Sequence, residues 1–458
     1  MILKNDPASF KDDAGKVFYL KDRIFRTVNN NYSEEYEYVK QKDIFNSLIE
    51  KQFLINSWEV NKYINKELGF NFDHLYKVLE HEKLEYWSYP YEWTFSQLKK
   101  AAIFHLDLQL ILLENNISLK DASAYNIQFK NNKPIFIDTL SLQKFDENIP
   151  WQGHKQFCEE FLNPLVFSSK FNIPFNEVYK GNLNGISNES VVKLLGYKIF
   201  LSHTLLINVY LTEFFSKSTS DSKKNKKRSY KQSQIYLINN LKKYIIKLNY
   251  KKKKTVWSNY SSDNSYTKVN ELEKENILKK YLSKKIPYSL IDIGCNDGRY
   301  SIIAKDLHVK KIIALDFDMQ CLEKINIENN GVITPMYGDL SNMPAGNGWD
   351  SKEKKSFMDR FKFDFSISFA VIHHLAISKN IPLDQILKFI LRLSNRGLIE
   401  FIPLEDEMIR QMTEFRNKNY DEYNFKNFLS ILRQNCKYIE VNDLNESKRK
   451  IIYYEKNI

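Results

Sequence analysis

A chain of 458 residues exceeds what one hydrophobic core usually serves, so two or three domains are expected. An apolar fraction of 43%, with 31 Phe and 28 Tyr, excludes a disordered chain, and four dispersed cysteines without a C-x-x-C pair exclude a disulfide framework and a thiolate zinc site. The formal charge of +12 is local: between Lys217 and Lys254 fourteen Lys or Arg stand against the single acid Asp221, and the rest of the chain is nearly neutral. The charged start and the lack of eighteen consecutive apolar residues predict a cytoplasmic protein with no transmembrane anchoring.

Residues 1 to about 150 open with alternating stretches, Lys16–Leu20 and Arg23–Val28, suited to half-buried strands. Leu98, Ala101, Ala102, Leu106, Leu110 and Leu113 then recur at helical spacing, and Asn115-Asn116 ends that pattern. Short strands follow on either side of a turn at Asn131-Asn132-Lys133. This region is read as one α+β domain. From Trp151 to residue 286 a mainly helical extension is expected, with Phe157, Phe161, Leu165, Leu195, Phe200, Leu205 and Val209 on apolar faces. A polar, basic loop from Ser216 to Arg228 and a second polar stretch from Ser258 to Tyr266 interrupt it.

After Pro287 the rhythm becomes alternating strand and helix. Strands are predicted at Ser289–Ile293, Lys311–Asp316, Gly331–Tyr337, Phe365–Phe369, Gly397–Phe401, Tyr438–Val441 and Lys450–Tyr454. Such strands are best buried as a mostly parallel sheet covered on both faces, over 287–458.

The first of these strands runs into Asp292-Ile-Gly-Cys-Asn-Asp-Gly298, a tight bend in which Gly294 and Gly298 allow close backbone approach. The helix after it can offer free amides. The second strand ends on Asp316, placed to accept from two ribose hydroxyls, and the third is followed by Gly338-Asp339, where the acid can accept from an adenine amino group. A nicotinamide site would need G-x-G-x-x-G against a pyrophosphate. Here the spacing is G-C-N-D-G, and Asp297 would repel phosphate.

These residues resemble the class I S-adenosylmethionine-dependent methyltransferase family over almost all of the last 170 residues. Gly294, Asn296 and Gly298 match its glycine-rich motif, Asp316 its ribose-binding acid and Gly338-Asp339 its adenine-side motif. Asp292 takes the position that organises the loop and the amino-acid end of the cofactor. The resemblance implies S-adenosylmethionine as cofactor and a Rossmann-like, seven-stranded sheet with one reversed strand. His373 and His374, after the fourth strand, are candidate bases for a hydroxyl acceptor; the competing reading is capping or packing. Adjacent histidines do not make a spaced metal-ligand pair, so no metal is assigned. The fourth-strand exit lacks the Asn/Asp-Pro-Pro-Phe/Tyr signature of nitrogen-directed relatives, which favours an oxygen nucleophile. Glu400, at the end of the fifth strand, is a further catalytic candidate that would line a substrate opening with Glu405 and Asp406; strand termination and helix capping explain such acids equally well.

In the first domain, Asp121, Asn126 and Asp138 have the order and spacing of the catalytic loop and metal-binding strand end of protein-kinase-like phosphotransferases, which they resemble. That likeness implies ATP and magnesium. No complete glycine-rich nucleotide loop is present, Thr139-Leu140 follows the last Asp, and only Lys16 or Lys21 offers itself as the strand lysine, so a relic of the fold is preferred to an active phosphotransferase. The combination resembles a bacterial two-part family of nodulation-related or surface-glycan-associated methyltransferases. It implies a glycan, glycolipid or small-molecule acceptor. Two alternatives stay open: an RNA methyltransferase docking through the basic 217–254 stretch, which also suits an anionic surface, and a non-catalytic binding protein with a pseudokinase-like half.

Overall fold

A computed structural model describes residues 3–61, 74–217, 230–251, 268–327, 331–414, 419–445 and 447–457. The basic run Lys223–Arg228, the polar stretch Ser258–Tyr266 and Trp257 lie outside the described residues. The chain forms two compact units, one from Met1–Lys251 with Gly346–Lys354, the other from Lys252–Ala345 with Lys355–Ile458. Helix Lys268–Lys284, which sequence reading assigned to the helical extension of 151–286, therefore belongs to the second unit. It buries Leu278, Tyr281 and Leu282 there, stacks Tyr281 on Tyr453 of the sheet, and makes the ion pairs described below. Among the described residues, no helix is long and apolar enough to cross a membrane.

The first unit holds an antiparallel five-stranded sheet in the order Lys4–Asn5, Val17–Leu20, Arg23–Asn29, Leu75–His81, Ser57–Glu59. Helix Phe95–Glu114 starts at a capping box in which the Thr94 hydroxyl accepts from the Gln97 amide and the Gln97 side chain accepts from the Thr94 amide. The turn predicted at Asn131-Asn132 joins strands Ile127–Lys130 and Lys133–Phe136. Both residues take positive φ, 51° and 60°, as a two-residue hairpin loop requires. Helix Lys231–Lys247 buries Ile238, Leu241 and Ile245 along one face, and Lys99 donates to the carbonyls of Ile246 and Leu248 at 2.7 and 2.8 Å. Tyr250 lies against Phe95. The described part of the basic region is thus largely committed to packing; Tyr236, 69% exposed, is the exception among its tyrosines.

The second unit is a seven-stranded sheet. Across it the order is Ile333–Tyr337, Lys311–Asp316, Ser289–Ile293, Phe363–Ser368, Ser394–Phe401, Lys450–Lys456, Cys436–Asp443. The first five run parallel and Lys450–Lys456 is antiparallel to both of its neighbours. One reversed strand in seven is what the resemblance implied. Every residue of the central strand Ser289–Ile293 is buried, because both faces are covered, whereas in the edge strand Cys436–Asp443 only Cys436 is. Helix Leu383–Leu393 buries Leu383, Ile386, Leu387, Ile390 and Leu391, a stripe at three- and four-residue spacing. Parallel strands bring their carboxyl ends to one edge, and the order reverses between Ser289–Ile293 and Phe363–Ser368. A crevice at that edge is where such a sheet binds ligands.

Candidate active site

The bend after the central strand is built from left-handed residues: φ is 68° at Gly294, 50° at Asn296 and 82° at Gly298. A Cβ on Gly294 would stand 2.5 Å from Val371 Cγ2, and one on Gly298 would stand 2.8 Å from Ile325 Cγ1. Both glycines are therefore demanded by backbone shape and by close protein packing. The bend is tied to the next strand by the Asn296 amide, which donates to Asp316 Oδ2 at 2.8 Å. The Asp318 amide donates to Asp316 Oδ1 at 2.9 Å.

At this edge lies a cavity of about 270 Å³. Gly294, Asn296 and Asp297 line it from the first strand exit, Asp316 and Phe317 from the second, Gly338 and Asp339 from the third, and Phe369, Ala370 and His374 from the fourth. The strand exits singled out in the sequence thus converge on one space. Gly298 and Asp292 do not line it. Gly298 is the N-cap of helix Arg299–Asp306, and Asp292 is buried beneath the bend, its Oδ2 accepting from the Ser301 hydroxyl at 2.7 Å.

Burial sets the chemistry of these acids. It pushes Asp292 up to about 7, against the Ser301 hydrogen bond, and Asp316 up to about 6, against the amides of Asp318 and Asn296. Asp339 behaves otherwise. Burial opposes its ionisation, but hydrogen bonds from the Ser341 hydroxyl and amide, with Lys379 3.5 Å away, hold it below the usual carboxylate range.

The two histidines separate in placement. His374 reaches the cavity on a wide π-type turn, His374–Ser378, a form often found at functional sites. Burial lowers it to about 4, so its imidazole is neutral at physiological pH. His373 is 1% exposed, does not line the cavity, and its Nε2 has no hydrogen-bond partner among the described residues. Burial holds it neutral too, and packing is its place in this fold.

Glu400 is corrected in the same way. It does not open onto the cavity but is 1% exposed, and its Oε2 accepts from Lys274 Nζ at 2.7 Å and from the Ala370 amide at 2.9 Å. The second bond holds Ala370 in a left-handed conformation, φ 54°, that a residue with a Cβ seldom adopts. Lys274, which does line the cavity, is the residue the sequence did not disclose. Burial lowers it to about 8 in spite of the attraction of Glu400. Its helix is held again by Arg299, which binds Glu271 at 2.6 Å and Glu275 at 2.7 Å. Glu405 is exposed, and Asp406 caps helix Glu407–Thr413 while binding Arg449 at 2.7 Å, the capping use weighed for these acids.

In the first unit, Asp121, Asn126 and Asp138 are close. Asp121 Oδ1 accepts from Asn126 Nδ2 at 2.9 Å and from the Ser141 hydroxyl at 3.1 Å. Burial, and then the charge of Asp138, push Asp121 up to about 6. Asp138 is engaged by Arg26 at 2.8 Å and caps the turn Thr139–Ser141. Neither lysine suggested for the strand position serves it. Lys16 donates to the carbonyls of Ser9, Phe10 and Asp12, and Lys21 sits in a hairpin turn at φ 51°. Among the described residues no group of three or more His, Cys, Asp or Glu is arranged to hold a metal.

No family model matches the chain. It is 33% identical to nodulation protein NoeA of Rhizobium meliloti (strain 1021) over 459 aligned positions, covering 98% of this chain and 95% of that protein. The chain belongs to the NoeA family. The resemblance to a nodulation-related family drawn from the motifs goes with that membership. Solved structures similar to this NoeA-family chain include the methyltransferase domain of bacterial CtHen1, at 13% identity and a TM-score of 0.30, covering 41% of this chain and 100% of that one. WbdD is similar at 13% identity and a TM-score of 0.29, covering 43% of this chain and 42% of that one. The PH0226 protein from Pyrococcus horikoshii OT3 is similar at 15% identity and a TM-score of 0.30, covering 43% and 98%. Likenesses of this degree add nothing to the strand order, which by itself gives the NoeA-family chain a mostly parallel, Rossmann-like sheet with one reversed strand.

Proposed function

We propose that the second unit transfers a methyl group from S-adenosylmethionine to a hydroxyl oxygen of a glycan, glycolipid or small molecule. The observation that carries this reading is the convergence of the glycine bend, Asp316 and Asp339 on one cavity. The residues fit the cofactor. Asp316 presents a buried carboxylate suited to two ribose hydroxyls, Asp339 an acceptor for the adenine amino group, and Gly294 with Asn296 a backbone cradle for the amino-acid end. Bound there, the cofactor supplies an electrophilic methyl group. The protein's part is to hold donor and acceptor in line and to take up a proton from the acceptor hydroxyl. His374, neutral and facing the cavity, is our assignment for the proton acceptor. The fourth-strand exit reads Phe369-Ala-Val-Ile-His-His374 in place of a nitrogen-directed signature, which supports oxygen.

The first unit is read as a kinase-like relic that holds no catalytic metal. Arg26 supports this, because a guanidinium on Asp138 already neutralises the carboxylate that magnesium would need. The described tyrosines of the basic region mostly pack inside the unit, which leaves RNA docking without a specific supporting contact.

The test is transfer of labelled methyl from S-adenosylmethionine to glycolipid and saccharide fractions, with S-adenosylhomocysteine as the second product. Absence of transfer to any fraction by a folded protein would refute the reading. His374→Ala is expected to bind S-adenosylhomocysteine as the parent does and to slow transfer about tenfold. That figure lies below the usual range because a base titrating so low is a poor proton acceptor. Unchanged turnover would remove His374 from the mechanism.

Affinity should also depend on pH. Hydrogen bonds from ribose hydroxyls favour the ionised form of Asp316, so binding lowers its pKa from about 6 and releases protons near that pH. Affinity for S-adenosylhomocysteine is therefore expected to rise as pH increases through 6 and then level off. Calorimetry in buffers of different ionisation enthalpy reads the proton count; uptake in place of release would contradict the assignment.

A further inference from the structure

Helix Lys268–Lys284 of the second unit turns Asn270, Lys274, Leu278, Tyr281 and Leu282 inward, a stripe at three- and four-residue spacing. Lys274 is the charged member of that stripe, at a position where a leucine would pack without the desolvation of an ion. Its ion pair with Glu400 has two unlike ends. Glu400 is turned from the cavity toward the Ala370 amide, whereas Lys274 lines the cavity. A ligand in that space therefore meets the positive end of the pair.

Neighbours fix where that charge stands. Lys274 Nζ lies 5.5 Å from the centre of the Phe369 ring, and Tyr300, two residues past Gly298, meets the same ring edge-on at 4.8 Å. Gly294 is packed against Val371, the residue after Ala370. Lys274 thus belongs to the end of the cavity formed by the glycine bend and the fourth-strand exit, the end read above as taking the amino-acid portion of the cofactor. Two other lysine or arginine side chains line the cavity among the described residues. Arg299 is spread over Glu271 and Glu275, and Lys379 stands beside Asp339 at the third-strand exit. Burial lowers Lys274 to about 8, against the attraction of Glu400, so the side chain is still mostly cationic at neutral pH.

We infer that the Lys274 ammonium binds the α-carboxylate at the amino-acid end of the cofactor, adding a charged side chain to the backbone cradle of Gly294 and Asn296. The inference rests on the methyl-donor reading of the cavity and names the group by which that site recognises a free amino-acid carboxylate. Titration calorimetry of the full chain with S-adenosylhomocysteine, and with its decarboxylated form, which keeps adenosine, sulfur and amine, isolates the carboxylate. The parent is expected to bind the first about ten- to a hundredfold more tightly, the worth of one hydrogen bond between charged groups. Lys274→Met/Glu400→Gln leaves no buried charge and keeps a carbonyl acceptor for the Ala370 amide. In that variant the preference should fall to within about threefold, well short of one charged hydrogen bond. Lys274→Gln, which retains Glu400 itself, should act in the same direction and carries the test if the double variant does not fold. A parent without the preference would overturn the inference. So would variants that keep it, including ones in which both ligands weaken together, as a packing role alone would make them. Binding of neither ligand to the folded parent would overturn the inference together with the methyl-donor reading beneath it.

Discussion

Asp316→Ala is expected to weaken S-adenosylhomocysteine binding on the order of a hundredfold. A carboxylate that accepts two hydroxyls in a buried site makes charge-assisted hydrogen bonds, each worth about 1.5–3 kcal/mol, and the variant loses both. The loss should not be a disguised unfolding. Burial raises Asp316 to about 6, so at neutral pH the apo protein carries an ionised side chain that the fold disfavours. Removing it relieves that cost while it releases the amides of Asn296 and Asp318, and the two effects oppose each other. Asp316→Asn, which keeps one carbonyl oxygen, should fall between parent and Ala. Titration calorimetry beside thermal melting separates the cases. Affinity retained in Asp316→Ala within about threefold, well short of one charged hydrogen bond, would mean that adenosine binds elsewhere.

The second large effect concerns stability. Glu400→Ala should cost about 3–5 kcal/mol, because it leaves the Lys274 ammonium buried without its counter-charge. Both side chains are almost inaccessible, 2% and 0% exposed, and the pair spans a sequence separation of 126 residues. The same substitution frees the Ala370 amide and with it the left-handed turn at the fourth-strand exit. Replacing both partners by apolar residues, Lys274→Met with Glu400→Leu, should recover most of the loss, since two matched apolar side chains avoid the desolvation of two ions. Urea unfolding is the measurement. A cost under about 1 kcal/mol for Glu400→Ala would place this pair with exposed ion pairs and contradict its burial.

What the sequence disclosed and what it hid follow from the range of each interaction. The inner strands of the second unit were legible because each is a short apolar run closed by a polar or glycine turn, and the edge strand Cys436–Asp443 because its Tyr, Ile and Val stand among polar residues. That Asp316 and Asp339 reach one cavity was legible because they stand at or just past the carboxyl ends of adjacent parallel strands. Phe95–Glu114 and the Asn131-Asn132 hairpin were legible for the same local reasons. Lys274 was not. Within Glu271-Leu-Glu-Lys-Glu275 it reads as one charge of a solvated helix, and only contact with Glu400, distant in the chain, turns it inward. Glu400 was singled out, but as a group facing the cavity, because strand alternation fixes the side on which a residue lies and not what fills the space beside it. His373 and His374 are neighbours whose difference arises from the wide turn after Val371, which no local pattern announces. The Arg26 partner of Asp138 was hidden for a similar reason: it was settled by the pairing of strand Arg23–Asn29 within its sheet.

The central claim is that an adenosine-bearing ligand occupies the space between the glycine bend, Asp316 and Asp339. A crystal structure of the protein with S-adenosylhomocysteine tests it most directly. The account predicts ribose hydroxyls on the Asp316 carboxylate, the adenine amino group toward Asp339 and the amino-acid end against Gly294 and Asn296. Ligand found on another surface, with these residues untouched, would contradict it.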